Sequence, residues 1–150
     1  MYKSILVPTD GSTLSGKAVK QAVMLAKSIG AKVTIVHATR DYKAFVKQRY
    51  NVLPAMAAPV EKKYKEEYAA SSKKILDEAC AIGVAAGIEC ARVSVIGESP
   101  YDAIIKQAAK SKCDLILMAS HGRSGLEGFL LGSETQKVLT HCKIPVLVVR

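Results

Sequence analysis

The sequence predicts a doubly wound α/β fold in which helices cover both faces of a five-stranded parallel sheet of strand order 3-2-1-4-5. Two observations predict it. Apolar, β-branched runs alternate with amphipathic helical patterns along the chain, as parallel sheets require. Polar, glycine-bearing loops follow the first and fourth strands, at the sheet edge where such folds bind ligands. With 150 residues, the chain is expected to form one domain, residues 1–150.

The opening elements follow from local patterns. Residues 3–8 are an apolar run that predicts a first strand rather than a signal peptide. The cluster Pro8-Thr9-Asp10-Gly11-Ser12 predicts a turn and a helix N-cap. Apolar residues then recur every three or four positions from Leu14 to Ile29, which predicts a helix that ends at Gly30. The β-branched residues 32–38 predict a second strand.

Residues 40–59 are the least regular part of the sequence. They are too apolar for a plain linker, while Pro54 and Pro59 argue against one continuous helix. A loop of this length is often a lid or a contact surface. From about residue 60 to residue 86 a helical pattern returns, and Gly87 is expected to end it.

The third strand is predicted at residues 89–96. Apolar and polar residues alternate there, which is typical of a strand with one solvated face and therefore favours an edge position. The run Ser99-Pro100-Tyr101-Asp102 predicts a helix start, with serine as N-cap and proline in the first turn. This helix is expected to reach about Lys112.

The last elements are a strand, a helix and a strand. We expect the fourth strand at 114–119, a helix at about 133–141 and the last strand at 144–149. Pro145 cannot donate a hydrogen bond within a sheet, so the last strand is expected at the opposite edge.

Charge and composition restrict the function. The net charge of +9 is compatible with a polyanionic partner. The basic residues are spread over the chain, however, which favours general solubility and attraction to nucleotide phosphates over nucleic-acid binding. No apolar stretch approaches the ~18 residues of a membrane span.

The cysteines and histidines do not predict a metal site. The four cysteines are scattered without a C-x-x-C pair, which is typical of reduced cysteines in a cytoplasmic protein. The neighbours His141 and Cys142 lack the spacing of a zinc site.

The most informative segment is the glycine-rich loop after the fourth strand. Residues 118–135 read M-A-S-H-G-R-S-G-L-E-G-F-L-L-G-S-E-T and end where a helix begins. Free backbone N–H groups and the dipole of a helix N-terminus attract phosphate, which makes Gly132-Ser133 a candidate phosphate site. The loop is not a Walker motif, because no G-K-[ST] follows, and it is not a dinucleotide fingerprint, because it follows the fourth strand.

The combination resembles the universal stress proteins, whose nucleotide-binding members have a Rossmann-like sheet and the motif G-x2-G-x9-G-[ST]. Here the motif reads Ala119-x2-Gly122-x9-Gly132-Ser133, and the opening turn is Pro8-Thr9-Asp10. The Ser99-Pro100 helix start and the I-P-V-L-V-V strand at 144–149 also resemble the family.

The resemblance implies an ATP-binding regulator of the cytoplasmic stress response, with Mg²⁺ on the phosphates, a homodimer formed through residues 144–149, an unidentified protein partner and no membrane association. It implies no enzymatic activity beyond slow ATP hydrolysis. Carried over position by position, the ATP-binding residues are Pro8, Thr9, Asp10, Ala38, Met118, Ala119, Ser120, His121, Gly122, Arg123, Ser124, Gly125, Gly132, Ser133, Glu134 and Thr135.

One departure from the family motif leaves alternatives open. Ala119 stands at the first glycine position, where its methyl group is either harmless or obstructive. The main alternative is therefore a family member that does not bind nucleotide and that acts as a protein-interaction module through residues 40–59. An ATP-cleaving enzyme and a nucleic-acid binder are further alternatives, the second resting on charge alone.

Overall fold

The structure is a computed structural model that describes residues 1–50, 58–122 and 131–150. Strands and helices alternate along most of the chain. In order, the elements are β1 (Ser4–Pro8), α1 (Thr13–Ile29), β2 (Lys32–Arg40), α2 (Tyr42–Tyr50), α3 (Ala58–Ala86), β3 (Cys90–Gly97), α4 (Pro100–Lys110), β4 (Leu115–Ala119), α5 (Ser133–His141) and β5 (Val146–Val149).

The five strands form one parallel sheet in the order β3-β2-β1-β4-β5. This confirms the predicted strand order and the predicted edge positions of the third and last strands. From β1, the strands β2 and β3 follow on one side of the sheet, whereas β4 and β5 lie on the other side of β1. The strand order therefore reverses between β1 and β4. The carboxyl ends of β1 and β4 therefore meet at the switch point, where a crevice opens in this class of fold.

Two apolar layers cover the two faces of the sheet, as predicted. Successive side chains of a strand point to opposite faces, so Ile5 and Val7 of β1 pack into the layer beneath α1 and α3. Leu6 packs into the layer beneath α4 and α5, together with Ile116 and Val138. All five side chains are fully buried, and this double burial makes the central strands apolar throughout.

The described parts of the region 40–59 differ from the sequence-based expectation of a loop. Residues Tyr42–Tyr50 form α2, and the next helix begins at Ala58 rather than near residue 60. Tyr42 and Val46, one helical turn apart, are both buried, so packing against the rest of the protein stabilises this short helix. Pro59 falls in the first turn of α3, where its missing N–H costs no hydrogen bond. Pro54 lies outside the described residues.

Other boundaries agree within about two residues. β5 begins at Val146, because Pro145 precedes the ladder and contributes only its carbonyl, to Ile116 N. β2 extends to Arg40, two residues beyond the predicted end.

The four cysteines are free thiols, and Cys80 and Cys113 are buried. Burial raises the pKa of the Cys90 thiol to about 11, so this cysteine is protonated and unreactive at neutral pH. No helix within the described ranges is long and apolar enough to cross a membrane.

Candidate functional site

A cavity of about 460 Å³ opens at the carboxyl ends of β1 and β4. This volume lies in the range of small-molecule sites, about 300–1,000 Å³. Twelve of the predicted ligand-binding residues line it: Pro8, Thr9, Asp10, Ala38, Met118, Ala119, His121, Gly122, Gly132, Ser133, Glu134 and Thr135. The sequence therefore identified residues from three separate strands and one helix that the fold brings together.

The remaining predicted residues do not line the cavity or lie outside the described chain. Ser120 is buried behind the wall, where its N–H donates to Val149 O at 2.7 Å and its carbonyl accepts from Gly132 N at 2.8 Å. Arg123, Ser124 and Gly125 lie outside the described residues.

The loop after β1 forms one wall of the cavity. Asp10 Oδ1 accepts a hydrogen bond from Ser12 N at 3.0 Å, the side-chain-to-backbone bond that aspartate makes in turns. Gly11 has φ 77°, a left-handed conformation that favours glycine. Ser12 is the N-cap of α1, as predicted, and accepts from Ser15 N. The D-G-S sequence thus directs the Asp10 carboxylate toward the cavity.

Thr9 and His37 fix this loop against the neighbouring strand. Thr9 N donates to Val36 O at 2.9 Å, and Thr9 O lies 2.8 Å from His37 Nδ1. His37 is buried, and its ring stacks on that of Tyr68 at a centroid distance of 5.8 Å. The histidine beside Ala38 is therefore a structural residue that holds β1 and β2 together at the rim of the cavity.

The loop after β4 forms the opposite wall. Thr135 Oγ1 donates to Ala119 O at 2.9 Å, and both residues are buried. This bond ties the first turn of α5 to the end of β4. A Cβ on Gly132 would lie 3.0 Å from His121 Cα, closer than side chains normally approach. The close approach of two backbone segments therefore favours glycine at the last position of the motif.

The two walls meet at Asp10 and Gly122. A Cβ on Gly122 would lie 2.5 Å from Asp10 Oδ2, so only glycine leaves the carboxylate in its observed place. Glycine at this motif position therefore allows the observed conformation of the loop after β1 as well as that of the loop after β4.

The N-terminus of α5 faces the cavity and is suited to hold an anion. The first four N–H groups of a helix have no partner within it. Gly132, the N-cap, uses its N–H for Ser120 O. Within the part of the chain that the structure describes, the N–H groups of Ser133, Glu134 and Thr135 have no backbone partner. Together with the helix dipole they favour a negatively charged ligand.

The Glu134 side chain shows a contact that the sequence did not predict. Its Oε2 accepts from Tyr101 N, in the first turn of α4, at 2.8 Å. Ser99 is the N-cap of α4, as expected, but its side chain makes no capping bond. The carboxylate from α5 provides that acceptor instead, because the two helices pack side by side.

Four further cavity-lining residues were missed by the sequence analysis: Ser15, Pro100, Ile104 and Leu131. Pro100 and Ile104 lie one turn apart on α4, and Ile104 is buried. The helix-start signal at Ser99-Pro100 could have identified them, since helix N-termini lie at the carboxyl edge of a parallel sheet. Nothing in the local pattern indicated Leu131.

The described residues contain no group of three or more histidine, cysteine or acidic side chains that could hold a metal ion. Mg²⁺ in nucleotide sites is commonly held by one or two carboxylates and the ligand phosphates. Asp10 is a carboxylate of this kind at the cavity wall.

The strand order and the cavity define a doubly wound α/β protein with a ligand site at the switch point. The model of the universal stress protein family matches residues 1–150, and the chain belongs to this family. It is 36% identical to the universal stress protein MJ0531 of Methanocaldococcus jannaschii, covering 100% of this chain and 83% of that protein. It is 31% identical to YxiE of Bacillus subtilis, with 100% of both chains covered.

Solved structures agree with this assignment. The hypothetical protein MJ0577 of Methanocaldococcus jannaschii superposes with a TM-score of 0.80 at 28% identity, with 99% of this chain and 96% of that chain covered. A universal stress protein in complex with cAMP superposes with a TM-score of 0.72 at 33% identity, with 99% and 97% covered. The resemblance inferred from the glycine motif is thereby confirmed.

Proposed function

We propose that this chain is a cytoplasmic, ATP-binding regulator of the stress response, formed by one universal stress protein domain over residues 1–150. The observation that carries the proposal is the cavity at the switch point. It combines an apolar interior with three available N–H groups at the start of α5. A relative in complex with cAMP supports an adenine nucleotide as the ligand.

The two ends of the cavity suit the two ends of a nucleotide. Ala38 and Met118 are apolar and suit the base, while Ser133 and the α5 N–H groups suit the phosphates. Mg²⁺ would accompany the phosphates of ATP, with Asp10 as the carboxylate placed to approach it. In this assignment Ala119 is tolerated, because its side chain adds one methyl group to a wall that still encloses about 460 Å³.

We further propose a homodimer through β5. This strand is an edge strand, paired only with β4 among the strands of the described sheet, and its Leu147 is 41% exposed. An unpaired strand edge with apolar side chains is a template for pairing with a second copy. Association through β5 would leave the cavity open, so the dimer is compatible with nucleotide binding and recruitment of a protein partner.

Titration calorimetry of the nucleotide-stripped protein with ATP, AMP and GTP in Mg²⁺ tests the proposal. We expect micromolar binding of ATP that is weakened in Ser133→Ala. The control is Ser28→Ala, which should retain ATP binding, because the Ser28 hydroxyl donates to Leu25 O near the C-terminal end of α1. Absence of binding by all three nucleotides would reject the proposal and favour the interaction-module alternative. ATP turnover above ~0.1 s⁻¹, near the usual range of enzymes, would instead indicate an ATP-cleaving enzyme.

A further inference from the structure

Glu134 lies in the cavity wall where α5 meets α4. It is the second residue of α5, so its carboxylate is tethered to the same turn that supplies the three N–H groups. Oε2 accepts from Tyr101 N at 2.8 Å, and Oε1 lies 3.4 Å from Lys137 Nζ. With two partners on different helices, the carboxylate is held beside the end of the cavity assigned to phosphate.

The charges of the wall are negative where the structure describes them. In the described part of the cavity lining, the charged side chains are two carboxylates, those of Asp10 and Glu134. Lys137 is not part of the cavity lining, and its ammonium lies 5.5 Å from the centre of the Tyr101 ring. The helix N-terminus therefore attracts one phosphate, while the neighbouring carboxylate opposes each added negative charge.

We propose that Glu134 is a specificity-determining residue that lowers the affinity of the cavity for a nucleotide as the negative charge of its phosphates increases. It disfavours metal-free triphosphates relative to monophosphates, and Mg²⁺ relieves this penalty by neutralising the phosphates. This inference rests on the proposed function, because it requires an adenine nucleotide in the cavity with its phosphates at α5.

The structural and electrostatic roles of Glu134 can be separated by Glu134→Gln. The glutamine side-chain oxygen still accepts a hydrogen bond from Tyr101 N, so the contact between α4 and α5 is retained, while the charge is lost. Glu78→Gln is the matched control. It makes the same change in net charge on α3, where the pair with Lys74 spans 4.0 Å and the Glu78 side chain is 65% exposed.

The experiment measures binding of adenosine, AMP and ATP, each with EDTA and with excess Mg²⁺. In Glu134→Gln we expect the affinity for ATP in EDTA to rise about fivefold, or about 1 kcal/mol. The gain should be smaller for AMP, absent for adenosine and reduced by Mg²⁺. Lys137→Gln, which removes the cation beside the carboxylate, should weaken the binding of metal-free ATP about threefold, or about 0.6 kcal/mol.

The outcomes separate this inference from the proposed function. Equal changes for ATP and adenosine, or the same gain in Glu78→Gln, would overturn the role of Glu134 while leaving nucleotide binding in place. So would an unchanged affinity for ATP in Glu134→Gln. Failure of wild type and variant to bind any of the three ligands would overturn both proposals together.

Discussion

The Asp10 carboxylate fills the space beside Gly122 in the lining of the cavity. Oδ2 of Asp10 occupies the position that a side chain on Gly122 would enter, at 2.5 Å from the ideal Cβ. The two residues come from loops more than 100 positions apart in the chain. Their contact makes the glycine of the second loop a determinant of where the acid of the first loop points.

Gly122→Ala is therefore expected to displace the Asp10 carboxylate and to weaken ATP binding about tenfold, or about 1.4 kcal/mol. Stability should change little, because the contacting atom ends a short side chain that can rotate. Calorimetric titration and thermal unfolding measure the two effects. Gly16→Ala is the matched control, since a Cβ there meets nothing within 4 Å. It should keep ATP affinity and stabilise α1 by about 0.5–1 kcal/mol. Unchanged ATP affinity in Gly122→Ala would show that the carboxylate position is immaterial.

Thr135→Val should destabilise the protein by about 1 kcal/mol. The substitution nearly preserves volume but removes the donor to the buried Ala119 O. Urea unfolding measures the loss. Thr140→Val removes a similar bond, to Gln136 O on the exposed side of α5, and should cost less than about 0.5 kcal/mol. Equal losses at the two positions would contradict the special role of the contact between β4 and α5.

The Asp114 carboxylate should give the protein part of its sensitivity to acid. It accepts hydrogen bonds from the backbone of Ser4 and Lys3, which lower its pKa below the ordinary value. The resulting stabilisation is complete above the unfolded pKa, about 3.9, and is lost as pH falls through the lower folded pKa.

Urea midpoints of wild type and Asp114→Asn between pH 7 and pH 2 test this expectation. The variant should be less stable at neutral pH, and the difference should shrink in acid. Glu67→Gln, in an exposed ion pair with Lys63, serves as the control and should track wild type at all pH values. A difference between wild type and Asp114→Asn that persists at pH 2 would assign the effect to packing instead.

Leu147→Glu should shift the protein from dimer to monomer in sedimentation experiments, because it places a charge on the proposed β5 interface. Ile96→Glu makes the same kind of change on β3 at the other sheet edge, where Ile96 is 53% exposed. It should leave the dimer intact. Dissociation by Ile96→Glu alone would place the interface on β3.

The features that could be predicted from the sequence depend on short-range patterns. Strand order followed from the alternation of elements and from two polar loops, because parallel connections restrict the topology strongly. The helix at Tyr42–Tyr50 could not be predicted, since its buried residues Tyr42 and Val46 make only one apolar pair and Pro54 and Pro59 obscured the pattern.

Contacts between distant side chains were also beyond the sequence. Glu134 and Tyr101 are separated by 33 positions, and His37 and Thr9 by 28. Each contact depends on how two elements pack, so the residue type alone does not indicate the partner. The sequence predicted that Ser99 caps α4, whereas the side-chain acceptor at the start of this helix is the Glu134 carboxylate from α5.

Ser120 joins the last strand to the start of α5, because its two backbone groups bond Val149 O and Gly132 N. A second subunit paired along β5 would therefore order the phosphate end of the cavity without touching the ligand. Affinity for nucleotide and affinity between subunits would then be linked quantities, each altering the other by the same factor. Such a protein would report nucleotide concentration through its state of assembly.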